Sequence, residues 1–163
     1  MDMVLLLGVV TGMRSMTAIA ALSWAVWLGL VPEQGWATWI GHLVVVILFT
    51  LCAVGEYVAD TMPKAPRRTD LGPALVRVVV AAVVGATVAV AIDEPVAGGI
   101  IFGAGGAIIG TSGGFFVRMT VARIFRRDLP AALLESASAI ALAVLAIVRL
   151  HQGIVADLQK AVG

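Results

Sequence analysis

The sequence predicts an all-α integral membrane protein, a bundle of about five transmembrane helices that forms one domain over residues 1–163. Hydrophobic residues make up 61% of the chain and charged residues 13%, whereas an ordinary soluble domain has about 45–50% and about 25%. The mean hydropathy is +1.05. A soluble domain of this length could not bury so much apolar surface. The composition therefore excludes a soluble enzyme and a disordered chain, and the single cysteine excludes a disulfide scaffold.

Five apolar runs are long enough to cross a bilayer core of about 30 Å. The first run is overlong and interrupted by Arg14, the second carries Glu56 and Asp60 near its end, and the fourth is rich in glycine. We expect glycine breaks in the first and fourth helices, and a short tail at the membrane surface. The predicted spans are residues 3–31, 36–62, 74–92, 95–118 and 129–148, and the tail is 149–163.

The N-terminal run is expected to belong to the mature fold. A signal peptide begins with a positive region, and the only early charge here is Asp2. We expect the helix to break at Gly12-Met13-Arg14-Ser15. The sequence leaves open whether residues 3–13 form a re-entrant half-helix, an interfacial helix or part of a tilted span.

Basic residues gather on one side of the predicted bundle. Eight of the eleven flank the connections after the second and fourth spans, and the positive-inside rule places these connections in the cytoplasm. With five spans, the N-terminus then lies inside and the C-terminus outside. Four tryptophans surround the first outer loop, which is typical of an interfacial aromatic belt. The eight basic residues are Lys64, Arg67, Arg68, Arg77, Arg118, Arg123, Arg126 and Arg127.

Glycines in the fourth span recur at spacings of four, three, four and four, so they share one helical face. Such a face predicts close helix packing, either within the chain or between the copies of a homo-oligomer. Two further possibilities remain open. In the first, residues 110–114 would be unwound and would line a cavity. In the second, the first and fourth segments would begin two inverted repeats, as in many transporters. The glycines are Gly99, Gly103, Gly106, Gly110 and Gly114.

Six ionisable side chains lie within or near the spans, and such residues are functional candidates by default. Glu56 and Asp60 are four residues apart and share a helix face. The predicted topology brings the group together in the cytoplasmic leaflet. Two interpretations remain open, a solute-binding or ion-relay cluster and a structural ion-pair network. The six are Arg14, Glu56, Asp60, Arg77, Arg118 and Glu135.

The proline-stiffened connection after the second span carries Lys64, Arg67 and Arg68. These bases are expected either to contact anionic lipid headgroups or a phosphate, or to serve only as a topology anchor. The sequence has no metal-spaced histidine pair, phosphate-binding loop or hydrolase motif. We therefore predict that the protein is not an enzyme. We also predict no catalytic residue, metal, cofactor or nucleic-acid partner.

Three motifs resemble those of a bacterial family of small multi-pass membrane proteins that share a domain of unknown function, DUF4126. The resemblance covers nearly the whole chain and implies a bacterial inner membrane and one shared feature formed by Arg14, Glu56, Asp60 and Arg118. It implies no activity. The motifs are Gly12-Met13-Arg14-Ser15; Glu56-Tyr57-Val58-Ala59-Asp60 with Pro63, Pro66, Arg67, Arg68 and Thr69; and Arg118 with Pro130, Ala131 and Glu135.

The leading hypothesis is a small transporter or channel-like permease for an anionic solute or lipid headgroup. Arg14 and Arg118 would contact the anion, while Glu56, Asp60 and Glu135 would balance charge or relay protons. The alternative is a non-transporting accessory subunit or lipid-binding scaffold of a larger membrane complex. The expected partners are membrane lipids, further copies of the chain and, under the alternative, other membrane subunits.

Overall fold

The computed structural model describes residues 1–59, 71–125 and 128–162, and within these ranges the regular secondary structure is entirely helical. Three helices are long and apolar enough to cross a membrane, over Gly72–Ala91, Val96–Gly114 and Ala132–Ala161. The helices are α1 (Asp2–Met13), α2 (Thr17–Trp27), α3 (Leu43–Ala59), α4 (Leu71–Ala91), α5 (Val96–Phe125) and α6 (Asp128–Val162), and a 3-10 helix covers Gly35–Gly41.

The first apolar run forms two short helices, which meet at a break around Arg14. The backbone of Arg14 is extended, with φ −142° and ψ 111°. Its side chain contacts Ser136 near the start of α6, whereas Met1 lines a cavity together with Gly153, further along α6. Gly153 lies 17 residues beyond Ser136, which corresponds to about 25 Å of helix. Helix α1 therefore runs antiparallel to α6, from the cavity towards the start of α6.

Helix α2 returns in the opposite direction. The hydroxyl of Thr17 lies against Tyr57, close to the end of α3, and the Leu30 carbonyl, just beyond α2, lies 2.8 Å from Nδ1 of His151. Pro32 lines the same cavity as Met1. Together α1 and α2 form a re-entrant hairpin, with both ends at the cavity end of the bundle and its tip at residues 14–16.

This hairpin corrects two predictions. Residues 3–31 do not make one span, because each arm has only 11 or 12 residues and reaches about 17 Å, roughly half the hydrocarbon core. The start of the chain and the later part of α6 also do not lie at opposite ends, since Met1 and Gly153 line one cavity. Of the three alternatives for residues 3–13, the structure favours the re-entrant half-helix, because α1 ends after 12 residues and the chain then turns back.

The other spans also differ from prediction. The second begins with the 3-10 helix, which is bent by 64° from α3. The described residues therefore hold three candidate spans, or four if this bent pair is one span. Helix α5 is continuous through residues 110–114, so the predicted glycine break there is wrong. Helix α6 continues to Val162, so residues 149–162 extend the last helix instead of forming a separate tail.

The glycines of α5 lie directly against neighbouring backbones. A Cβ atom on Gly103 would overlap the carbonyl oxygen of Ala81 in α4, and one on Gly106 would overlap that of Leu5 in α1. Gly99 and Gly110 are in the same position against α4 and α1, respectively. These four glycines pack helices of one chain together, so that part of the face is not available to a second copy. Helices α1 and α5 run in the same direction, unlike the corresponding helices of an inverted repeat.

Helix α1 occupies the centre of the bundle, where Leu7 and Val10 are fully buried. Helix α3 lies at the periphery, and one of its faces carries exposed apolar side chains, such as Val44 at 77% and Leu51 at 63%. In a bilayer this face of α3 contacts lipid.

Candidate functional site

The centre of the candidate site is the hairpin tip, where α2 begins inside the bundle. The backbone N–H groups of Ser15 and Met16 donate to Oε1 and Oε2 of Glu56 at 2.8 and 2.9 Å. These two amides lie in the turn just before α2, whose N-cap is Met16, and the helix dipole favours a negative charge at this point. Glu56, on α3, therefore places an anion directly before the start of α2.

The Arg14 side chain connects the tip to α6 through hydrogen bonds. Its side chain is only 1% exposed, and Nη2 donates to the Ala132 carbonyl at 3.2 Å and to Oγ of Ser136 at 2.8 Å. The guanidinium carbon lies 5.4 Å from the ring centre of Tyr57, within the range of a cation–π contact. A charge this deeply buried is costly unless hydrogen bonds and partners offset the desolvation, so these contacts are needed to keep Arg14 at the tip.

Two further side chains contact the tip. Nε of Arg77, on α4, donates to Oγ of Ser15 at 3.3 Å, and only 5% of Arg77 is exposed. The hydroxyls of Tyr57 and Thr17 are 2.7 Å apart. Both side chains therefore turn inward to the hairpin. The only sequence signal for Tyr57 was its position beside Glu56.

Glu135 lies in the same layer of the bundle. It is 4% exposed, and a Cβ on Gly114 would lie 3.2 Å from its Oε1. A side chain at position 114 would therefore require a small shift of the Glu135 carboxylate. One turn earlier on α5, the Thr111 hydroxyl donates to the Gly12 carbonyl at 3.2 Å, which ties α5 to the last turn of α1.

The structure thus brings four of the six predicted site residues to one layer, namely Arg14, Glu56, Arg77 and Glu135. We call these four side chains the tip cluster. They comprise two guanidinium groups and two carboxylates, so their formal charges balance. Asp60, Lys64, Arg67, Arg68 and the side chain of Arg118 lie outside the described residues.

A second feature, which sequence reasoning missed, is a cavity of about 620 Å³ at the other end of the hairpin. Its walls come from the start of α1, the segment after α2, the turn between α4 and α5, and α6. Four separate segments build it, so no local pattern could reveal it. The volume lies within the range of about 300–1,000 Å³ that is usual for small-molecule sites. The polar residues lining it are Asp2, Gln34, Glu94, Arg149 and Asp157.

Within the described ranges, no three histidine, cysteine or carboxylate side chains are grouped as a metal site requires. No family model, curated protein or solved structure matches this chain. The geometry of the tip and the cavity is therefore the basis for any functional proposal.

Proposed function

We propose that this protein is a small membrane permease for an anionic solute, and that the hairpin tip holds its anion-binding position. The observation that carries the proposal is the Glu56 carboxylate, bound by the backbone N–H groups of Ser15 and Met16 at 2.8 and 2.9 Å. A carboxylate on a side chain and a carboxylate on a solute present the same two oxygens. The tip is therefore an anion site that a tethered anion already occupies.

The setting of this site supports transport. Helix α2 starts within the bundle, and half-helices that start at membrane depth are used by transporters to bind anionic groups at their positive ends. Interruptions of helix at such depth are tolerated where they are buried in protein or line a cavity. Buried ionisable residues, such as Arg14 and Arg77, are costly within a membrane and commonly mark a solute pathway.

Exchange between the tethered and the free anion provides a mechanism. Glu56 is only half-buried, and its helix packs mainly against α2 and the 3-10 helix, so a rotation of this side chain frees the two amides. Arg14 and Arg77 both contact the tip, so their guanidinium groups would attract the incoming anion. The basic connections predicted for this end of the bundle would raise the local concentration of anions.

The test measures anion binding and flux in protein reconstituted into liposomes, with nitrate and acetate as probes. Glu56→Ala removes the competing carboxylate. If that carboxylate occupies the site about 90% of the time, its removal strengthens the apparent anion affinity about tenfold. Arg14→Gln is expected to weaken anion binding and flux. Asp93→Asn, which removes a carboxylate from an exposed turn, is the matched control and is expected to leave both unchanged.

Glu56→Gln guards against misfolding, since its amide keeps the volume and one oxygen acceptor. Each variant is first checked for a single oligomeric species and for thermal stability. If Glu56→Gln and Arg14→Gln fold and leave anion binding and flux unchanged, the proposal is wrong.

A specific observation also favours the second candidate, a non-transporting scaffold or accessory subunit. The contacts of Glu56, Arg77 and Arg14 join the hairpin tip to α3, α4 and α6, respectively, as structural connections would. For a scaffold, neutralising Glu56 or Arg14 lowers the melting temperature or prevents assembly, and the wild-type protein gives no flux of any probe. The permease predicts wild-type flux and an opposite effect of Glu56→Ala and Arg14→Gln on anion affinity.

A further inference from the structure

The cavity at the open end of the hairpin has the features of a ligand site that is separate from the tip cluster. We propose that it binds a small organic cation that carries a short apolar chain. This inference does not depend on the anion permease, because the cavity and the tip lie at opposite ends of the hairpin and involve different side chains.

The charge around the cavity favours a cation. Carboxylates reach it from three different segments, namely Asp2 on α1, Glu94 in the turn before α5, and Asp157 on α6. The basic groups of the lining residues are the Arg149 side chain and the Met1 amine, so the three carboxylates outnumber them. Lys160 lies 3.3 Å from Asp157, but both side chains are 78% exposed, so this pair is weak and is easily exchanged for another cation.

Two of the carboxylates also have a structural role. Asp2 is in the first turn of α1 and Glu94 lies just before α5, where the helix dipole favours an acid. Both side chains remain exposed, so they can serve the helix ends and still face a bound cation.

The inner wall of the cavity is apolar. Val4, Ala91 and Leu150 form its buried part, and Ile92 and Ile154 are half-buried around them. A bare inorganic ion would leave this wall in contact with water, whereas a short hydrocarbon chain would cover it and gain the free energy of burial. The cavity volume of about 620 Å³ accommodates such a chain together with its charged group.

The test uses hexyltrimethylammonium as the probe and isothermal titration calorimetry of the protein in nanodiscs of phosphatidylcholine. Tetramethylammonium lacks the apolar chain and hexanoate reverses the charge, so each isolates one part of the proposed recognition. Empty nanodiscs measure partition of the probe into lipid. We expect saturable binding of hexyltrimethylammonium, and weaker binding of the two other compounds.

The Asp2→Asn/Glu94→Gln double variant removes charge at similar volume. Two partly exposed attractions are lost, so the dissociation constant should rise by roughly three- to thirtyfold. Asp93→Asn is the matched control, since Asp93 is beside Glu94 but does not line the cavity. Its φ of 55° is also one that asparagine adopts readily, and its binding should match that of the wild type.

Any one of three results would overturn the inference. The first is that hexyltrimethylammonium gives no saturable heat beyond that of empty nanodiscs. The second is that hexanoate binds as tightly as the cation, and the third is that Asp93→Asn weakens binding as much as the double variant. None of these results bears on anion binding by the Glu56 and Arg14 variants, so failure of this inference and failure of the permease proposal are distinguishable.

Discussion

Replacement of Gly106 by alanine tests whether the backbones of α1 and α5 are in direct contact. A Cβ on Gly106 would overlap the Leu5 carbonyl oxygen and would lie 2.8 Å from the backbone nitrogen of Val9. These are main-chain atoms of α1, so no side chain can rotate away and the two helices must separate. Overpacking of this kind costs about 1–3 kcal/mol.

Gly105 is the matched control on the same helix, because a Cβ there meets nothing within 4 Å. Alanine is favoured over glycine in a helix by up to about 1 kcal/mol, so Gly105→Ala should be neutral or stabilising. The same helix-propensity gain applies to Gly106→Ala, so the two variants are expected to differ by the overpacking cost alone, about 1–3 kcal/mol. For a chain of this size this corresponds to roughly 2–12 °C in melting temperature, with Gly106→Ala the less stable.

The assay is thermal unfolding of both variants in the same detergent, followed by circular dichroism, with oligomeric state measured by light scattering. Equal melting temperatures for the two variants would refute the packing of α1 on α5. A change of oligomeric state in Gly106→Ala, without loss of monomer stability, would instead place the glycine face between copies of the chain.

Two further predictions concern the hairpin. Tyr57→Phe and Thr17→Val each remove the 2.7 Å contact between the same two hydroxyls, so a double-mutant cycle of unfolding free energies should give a coupling of about 1 kcal/mol, and additive effects would contradict the contact. In a Cys52→Ser background, single cysteines at Asp2 and Glu94 should react with a membrane-impermeant maleimide from the same side of sealed vesicles. Labelling from opposite sides would favour one continuous first span and contradict the hairpin.

Most of the tip cluster could be predicted from the sequence, because burying a charged side chain costs free energy and such residues are rare in apolar segments. Arg14, Glu56, Arg77 and Glu135 stand out against apolar runs, and their position within each run sets their depth. The sequence also favoured a break near Arg14. Tyr57 was not predicted to contact the tip, because a single tyrosine near a span end is typical of an interfacial residue, and its inward orientation depends on where Thr17 and Arg14 lie.

The cavity could not be predicted in the same way. Its carboxylates are exposed residues in turns and helix ends, where charge is ordinary, and only the packing of four distant segments brings them around one space. The packing partner of the glycine face was similarly open, since a helical stripe of small residues has the same spacing whether its partner is in the same chain or in a second copy.

The sequence by itself determined that the chain is all-helical and apolar enough for a membrane, which residues form its close-packing face, and where costly charges interrupt it. These properties follow from composition and helical periodicity, which are local. Only the tertiary structure decided that the first apolar run turns back on itself. Hydropathy measures the preference of a segment for an apolar environment. It has the same value whether the chain continues across the bundle or turns back. The direction was set by contacts between residues far apart in the chain, the Glu56 carboxylate on the amides of Ser15 and Met16 and the Arg14 side chain on α6.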